Sequence, residues 1–167
     1  GGGAVVRRSA LDGSDSEEGR KSMLLDSMME ALKPYQEEGR CFKVDLQPDA
    51  PFHGMWRIQG RLPGLLFDLF LVEDMHVSLK VLFGGDGEPI TPRKLQWVNA
   101  WNRQKRWAKA IVEEDGTMVI EYDLFFLEQL SEPAPSALIA EALLMFEQSA
   151  EDAAYDLVNM FGDSDSS

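Results

Sequence analysis

The sequence is poor in residues that bind metals or form cross-links. Cys41 is its one cysteine, which excludes an intramolecular disulfide and a multi-cysteine metal site. The two histidines, His53 and His76, argue against an all-protein zinc site. The longest apolar run, residues 62–72, is interrupted by proline, glycine and aspartate and falls short of the roughly 20 residues that span a membrane. We therefore expect no metal, no cofactor and no membrane insertion.

Basic residues are outnumbered by acidic ones. The chain has 16 lysines and arginines against 29 aspartates and glutamates, and its net charge is −13. A field of this sign repels phosphate backbones and anionic lipids, which argues against binding either through bulk charge. With 44% hydrophobic residues among 167, the composition is that of one soluble globular domain with a sizeable core.

The first residue bears on the expected location. The chain begins at Gly1 rather than at a methionine. We expect a cytoplasmic protein, or a protein of an organellar interior (plastid or mitochondrial) if Gly1 is the end that removal of a transit peptide leaves.

Three segments are predicted along the chain. Residues 1–21 are rich in glycine, serine and charge, and we expect them to be disordered or peripheral. Residues 162–167 are expected to form a flexible acidic tail. A single domain is predicted between them, at residues 22–161. It opens with a helix that Ser22 caps and that Pro34 ends or kinks.

Alternating apolar and polar residues predict four strands in the first half of the domain. They lie at residues 40–46, 52–59, 65–72 and 76–83. The third is nearly continuously apolar and is predicted to be buried on both faces. Arg40 and Lys43 lie near Cys41 and could lower its pKa, but nothing nearby supplies a base, so an inert thiol is the favoured interpretation.

The second half begins with a helix. Thr91 and Pro92 are a typical N-cap and first helical residue. The helix is predicted to end near Asn102, with a core face centred on Val98 that also includes Lys94 (through its stem), Leu95, Trp101 and Asn102. A hairpin is predicted after this helix, because residues 115–116 are Asp-Gly, the strongest hairpin signal in the chain.

That hairpin and a long final helix complete the prediction. Taken as a two-residue turn, Asp115 and Gly116 place Ile111 opposite Ile120. The last helix is predicted from Pro135 to about Phe161, with one continuous apolar stripe. Helix, strands, helix, hairpin and helix, joined by short turns, predict an α+β fold in which an antiparallel β-sheet is flanked by helices.

The second half also carries a family resemblance. The segments VNAWNR at 98–103, RWAKA at 106–110, DG at 115–116 and EYDL at 121–124 resemble the signature of the YbjN family. That signature has an I-N-x-W-N helix end, a basic-aromatic strand, an acidic-glycine turn and an acidic-leucine strand. The resemblance covers residues 90–160 well, whereas residues 22–83 match only in the order of elements.

The resemblance implies a fold similar to that of type III secretion chaperones, α-β-β-β-α-β-β-α or with one extra strand. Those chaperones are often dimeric, so a homodimer is one expectation. The family is one of sensory transduction regulators, and no catalytic residue is established for it. We interpret its recognisable positions here as structural, and they are Asn99, Trp101, Asn102, Arg106, Asp115, Gly116 and Asp123.

Three functional hypotheses follow. The favoured one is a non-enzymatic, chaperone-like or regulatory adaptor that binds another polypeptide of unknown identity. The alternative is a nucleic-acid-binding regulator that uses the basic and tryptophan-rich segment 93–109, although Trp101 and Trp107 are predicted to be core residues. The third is an enzyme or metal site built on the carboxylates of residues 113–123.

The adaptor hypothesis predicts two binding surfaces. Methionines on the first helix could be adaptable contact residues, although core packing is the favoured interpretation of their spacing. The end of the last helix is predicted to overhang the sheet. The candidate protein-binding residues are Met23, Met28, Met29, Tyr155, Leu157 and Phe161.

Overall fold

A computed structural model describes residues 2–45, 52–58, 64–71, 75–84, 89–126 and 135–161. Within these ranges the elements are α1 (Gly2–Glu37), β1 (Cys41–Asp45), β2 (Phe52–Trp56), β3 (Leu65–Phe70), β4 (His76–Phe83), α2 (Pro92–Gln104), β5 (Lys109–Val112), β6 (Met118–Phe125) and α3 (Pro135–Phe161). Six antiparallel strands form one sheet in the order β1-β2-β3-β4-β6-β5. This is the predicted α+β fold, and the extra strand is present. The predicted tail at 162–167 lies outside the described residues.

The three helices pack on one face of the sheet. On that face Phe67 of β3 lies opposite Leu79 of β4, which lies opposite Tyr122 of β6. These side chains belong to the hydrophobic core together with buried residues of all three helices. Side chains alternate across a sheet, so the opposite face carries polar residues such as Asp68 and Asp123. The core therefore lies between the helices and one sheet face.

The helix α1 is longer than predicted. Its backbone is helical from Gly2, so residues 2–21 continue the helix instead of forming a disordered segment, and Ser22 lies inside it instead of capping it. No proline precedes Pro34, and lengthening an existing helix is much easier than nucleating one. Pro34 lies in the last turn, and Gly39, at φ 71°, follows the helix in the left-handed conformation that glycine tolerates.

The early strands differ from prediction in two respects. β3 is buried only at alternate residues, so the prediction of burial on both faces is wrong. Its second face lies on the side of the sheet away from the helices. In β1, Cys41 is half-buried, and burial raises the pKa of its thiol, so the lowering that neighbouring cations could have caused is not found. A higher pKa leaves less thiolate, which agrees with an inert thiol.

The β5–β6 hairpin has a different register from the predicted one. Ile111 pairs with Val119, not with Ile120. The connection is a three-residue loop, residues 114–116, instead of a two-residue turn. Its last residue, Gly116, has φ 88°, the left-handed position of a common three-residue hairpin.

The helix α2 begins as predicted, and its buried face agrees with the predicted one in part. Thr91 Oγ1 accepts a hydrogen bond from the backbone N–H of Lys94 at 3.2 Å. Lys94 and Trp101 are buried as predicted, and Trp97 is buried in addition. The helix continues past Asn102, Val98 is only half-buried, and Leu95 is exposed. Two indoles one turn apart bury more apolar surface than a valine and a leucine, and they orient the helix.

The helix α3 has the predicted bounds, Pro135–Phe161. Its buried stripe also follows the prediction except at the last residue, Phe161, which is half-buried. The buried members are Ile139, Ala142, Leu143, Phe146, Ala150, Ala153 and Leu157. Among the described helices, none is long and apolar enough to cross a membrane.

Candidate functional site

Trp101 and Asn102 fasten α2 to the edge strand β5. Trp101 Nε1 donates a hydrogen bond to the carbonyl of Ala108 at 2.9 Å. The Asn102 amide makes two hydrogen bonds with Ala110: Nδ2 donates to the carbonyl at 3.0 Å, and the Ala110 N–H donates to Oδ1 at 2.8 Å. Because β5 is at the edge of the sheet, this amide occupies the position that a further strand would take. These two motif residues have a structural role here.

Replacing Asn102 by alanine is expected to expose the edge of β5. The N–H and carbonyl of Ala110 would lose their partners, which should lower the free energy of unfolding by about 1–2 kcal/mol and promote strand pairing between molecules. Urea unfolding and light scattering at rising concentration measure the two effects. Asn99→Ala, at an exposed position of the same helix, is the matched control. An Asn102→Ala protein as stable and as monodisperse as this control would contradict the assignment.

The motif residues in the hairpin loop are also structural. Asp115 Oδ1 accepts a hydrogen bond from the Thr117 N–H at 3.0 Å, and this bond lowers the pKa of Asp115. The carbonyl of Gly116 accepts a hydrogen bond from Lys94 Nζ at 3.0 Å. Since Lys94 is buried at the start of α2, this bond holds the loop against that helix.

Two of the three remaining motif residues, Arg106 and Asp123, line a cavity of about 490 Å³. It lies where the segment before β5 diverges from β6, and we call it the fork cavity. Asn99 is not among its lining residues. The lining consists of Asn102, Lys105, Arg106, Trp107, Ala108, Lys109, Glu121, Tyr122 and Asp123.

Several side chains of the fork cavity are paired with each other. Lys109 Nζ lies 3.1 Å from Glu121 Oε1, and the rings of Trp107 and Tyr122 stack with centroids 3.9 Å apart. The lining has no cysteine, histidine, serine or threonine that could act as a nucleophile. In the part of the chain that the structure describes, no three histidine, cysteine or acidic side chains form a group that could hold a metal ion. The geometry gives the carboxylate hypothesis no support.

The basic, tryptophan-rich segment 93–109 does not form a surface of exposed stacking residues. Trp97 and Trp101 are both 3% exposed, as predicted for Trp101. Trp107 is half-buried where a core position was predicted, and one face of its ring is covered by Tyr122. Two cations of the segment are paired with acidic side chains. Proteins that bind single strands usually stack the bases on exposed aromatic rings, and the tryptophans of this segment are not exposed in that way.

We therefore predict no tight nucleic-acid binding. At physiological salt, screening leaves only charges within about 8 Å effective, and within that distance Lys105 and Lys109 are already paired with acidic side chains. Fluorescence anisotropy with labelled single-stranded RNA and DNA measures this directly. Sub-micromolar binding at that salt would show the prediction to be wrong.

The methionines of α1 do not form one exposed surface. Met28 is 1% exposed and belongs to the core, so its prediction as a protein-binding residue is wrong and core packing explains it. Met29 is half-buried, and Met23 is 40% exposed. Of the three, Met23 is the most accessible to a partner.

The end of α3 does not overhang as predicted. Leu157 is buried, and Phe161 is half-buried with the Arg93 guanidinium 5.1 Å from its ring centroid. Arg93 also donates a hydrogen bond to the carbonyl of Met160. Arg93 of α2 thus contacts this end of α3, and two of the three residues predicted to bind protein here are not exposed. Tyr155 is the exception and is 71% exposed.

Exposed apolar side chains concentrate on the outward side of α3. Of the ten large hydrophobic residues that are exposed in the described part of the chain, five belong to this helix. We call them the α3 face: Leu138, Leu144, Met145, Tyr155 and Val158. The sequence prediction included only Tyr155. The sequence did contain a signal for the other members of the face. Leucine, methionine and valine occur in α3 outside its buried stripe, and a helix whose outer side faces only water does not need them.

These features define a small α+β protein with exposed apolar side chains on α3 and a fork cavity lined by charged and aromatic residues. The family model of YbjN, described as "Putative bacterial sensory transduction regulator", matches residues 72–157. The match covers more than half of the 167 residues, and the chain belongs to the YbjN family. Comparison with curated proteins and with solved structures found no match.

Proposed function

We propose that this YbjN-family protein is a non-enzymatic regulatory adaptor that binds another polypeptide through the α3 face. The exposure of that face is the observation that carries the proposal. Leu144, Tyr155 and Val158 are each more than 60% exposed. Binding of a partner that removes apolar surface of this kind from water is favourable, and concentrated apolar patches mark interaction sites.

The family and the fork cavity both support an adaptor over an enzyme. The family description is that of a regulator of sensory transduction, a role that association with a partner can fulfil. In the cavity that contains Arg106 and Asp123, Lys109 is paired with Glu121, and none of the lining residues is a cysteine, histidine, serine or threonine. The resemblance to type III secretion chaperones remains a prediction and is a second reason to expect a polypeptide partner.

Site-specific photo-cross-linking tests the proposal. A benzophenone amino acid at position 155, where Tyr155 is 71% exposed, should form a cross-link with a discrete partner polypeptide in cells. The same group at position 95, where Leu95 of α2 is 51% exposed, is the matched control and should not. Mass spectrometry identifies the cross-linked chain.

The positions chosen for substitution must be exposed, because only then does the cross-linking result report on binding. Polar substitution at Met28 or Leu157 would damage the core and report on folding instead of binding. By contrast, substitutions at exposed positions usually change stability by less than about 0.5 kcal/mol. The proposal fails if position 155 gives no discrete cross-link, or if position 95 gives the same one.

A further inference from the structure

The helix that carries the α3 face has charges of one sign. Residues 135–161 include five carboxylates and not one lysine, arginine or histidine. The acidic residues are Glu141, Glu147, Glu151, Asp152 and Asp156. A partner that approaches α3 therefore meets apolar side chains within a field of negative sign, which the net charge of −13 reinforces.

Not all of these carboxylates are available to a partner. Glu147 points inward and is bound by Arg40 at 2.6 Å, and Asp152 lies 3.5 Å from Lys105. Glu141, by contrast, is exposed on the outward side. At 100° per residue, Glu141 lies about 60° from Leu144 around the helix axis. The apolar and acidic groups of the outward side are thus close enough to be contacted together.

The geometry of the α3 face also limits the form of the partner. A helix has no free backbone hydrogen-bonding groups along its side, so an extended segment on this face would leave its own N–H and carbonyl groups unpaired. A helical segment satisfies those groups internally and presents only side chains. Leu144, Tyr155 and Val158 lie within about 60° of one another around the axis and span about 21 Å at 1.5 Å per residue, a length that a helix of roughly 14 residues or more covers.

We infer that the occupant of the α3 face is a basic amphipathic helix of a partner protein. Its apolar side chains would pack between Leu144, Tyr155 and Val158, and its lysines or arginines would lie beside the carboxylates of α3. This inference rests on the proposed function and specifies the chemistry of its partner.

A second copy of this chain fits the α3 face poorly. Two such helices packed face to face would bring the outward carboxylates of one copy next to those of the other, with no basic residue on either helix. Like charges placed together across an interface disfavour association. A partner with basic residues avoids this repulsion, so a different polypeptide fits the face better.

Three synthetic peptides of roughly 20 residues test the inference. The first has leucines along one helical face and lysines elsewhere, the second has glutamates in place of the lysines, and the third keeps the first composition with the leucines redistributed. Fluorescence anisotropy measures the binding of each to the full chain. The protein variants are Leu144→Ser with Tyr155→Ser, Glu141→Lys, and Leu95→Ser as the matched control.

The lysine amphipathic peptide should bind, and the glutamate and redistributed peptides should bind at least about tenfold more weakly. The double serine variant should lose about tenfold in affinity or more, Glu141→Lys should bind the lysine peptide more weakly, and Leu95→Ser should match the unaltered chain.

Three outcomes overturn the inference. The first is a glutamate peptide that binds as well as the lysine peptide, and the second is a lysine peptide that the double serine variant binds unchanged. The third is a dimer, seen by light scattering, that Leu144→Ser with Tyr155→Ser abolishes. If the cross-link from position 155 is still observed in any of these cases, a polypeptide does bind α3, and only the proposed basic amphipathic character of the partner is contradicted. Absence of that cross-link removes the proposed function itself.

Discussion

Trp56→Ala is expected to lower the free energy of unfolding by about 3–5 kcal/mol, the range for large aromatic residues removed from a core. Trp56 is fully buried where β2 meets α3, with its ring centroid 6.3 Å from that of Phe67 and 6.2 Å from that of Phe146. Its Nε1 also donates a hydrogen bond to Glu147 at 3.0 Å. Alanine removes the ring contacts and the donor together. Urea unfolding followed by circular dichroism gives the value without depending on tryptophan fluorescence.

Two matched variants separate the contributions. Trp56→Phe keeps an aromatic ring but removes the Nε1 donor, and should cost less, about 1–3 kcal/mol, because a charged acceptor then lacks one partner. Leu95→Ala, at a 51% exposed position, should change stability by less than about 0.5 kcal/mol. If Trp56→Ala proved no worse than Leu95→Ala, the packing of β2 against α3 would be wrong.

Elements with strong local signals could be predicted from the sequence. Thr91 and Pro92 start α2 because a threonine cap and a proline at the first position act within one turn. The bounds Pro135–Phe161 follow from a proline, a long apolar stripe and a glycine beyond it. The α+β class follows in turn from the order of such elements.

Features that depend on one residue of spacing could not be fixed in this way. An Asp-Gly pair with glycine in a left-handed conformation suits both a two-residue and a three-residue hairpin loop. The choice moves Ile111 from Ile120 to Val119, and only packing on the rest of the sheet decides it. The extension of α1 to Gly2 is similar, because no proline forbids it and no local signal requires it.

Contacts between distant segments limited the prediction of the site. Arg93 of α2 lies against Phe161 at the end of α3, and Leu157, about one turn earlier in that helix, is buried. Nothing near Phe161 in the sequence indicates that Arg93 is its neighbour. The two bonds between Asn102 and Ala110 likewise join a helix to a strand across a bend. The motif was visible in the sequence, but its role at the sheet edge required the fold.

Glu147→Ala is the second substitution with a large expected effect. Glu147 Oε1 accepts hydrogen bonds from Arg40 Nη2 at 2.6 Å and from Trp56 Nε1 at 3.0 Å, and the two charged side chains are only 14% and 17% exposed. Arg40 also donates a hydrogen bond to the carbonyl of Arg57 at 2.8 Å. The Glu147 carboxylate thus joins α3 to β2 through Trp56 and to the segment before β1 through Arg40. Removing one partner of a largely buried pair is expected to cost about 3 kcal/mol, measured by urea unfolding.

Glu147→Gln tests the electrostatic part of that effect through its pH dependence. Burial raises the pKa of Glu147, against the opposing influence of Arg40 and the Trp56 indole. A carboxyl whose pKa is raised in the folded state contributes to stability at pH values below its usual pKa of 4.5. This contribution is lost as the pH rises through the raised pKa. Glutamine keeps an oxygen that can accept from Trp56 but does not titrate. The stability of the unaltered protein relative to Glu147→Gln should therefore fall as pH rises above 4.5. A relative stability that rises over the same range would mean that attraction to Arg40 outweighs the cost of burying the charge.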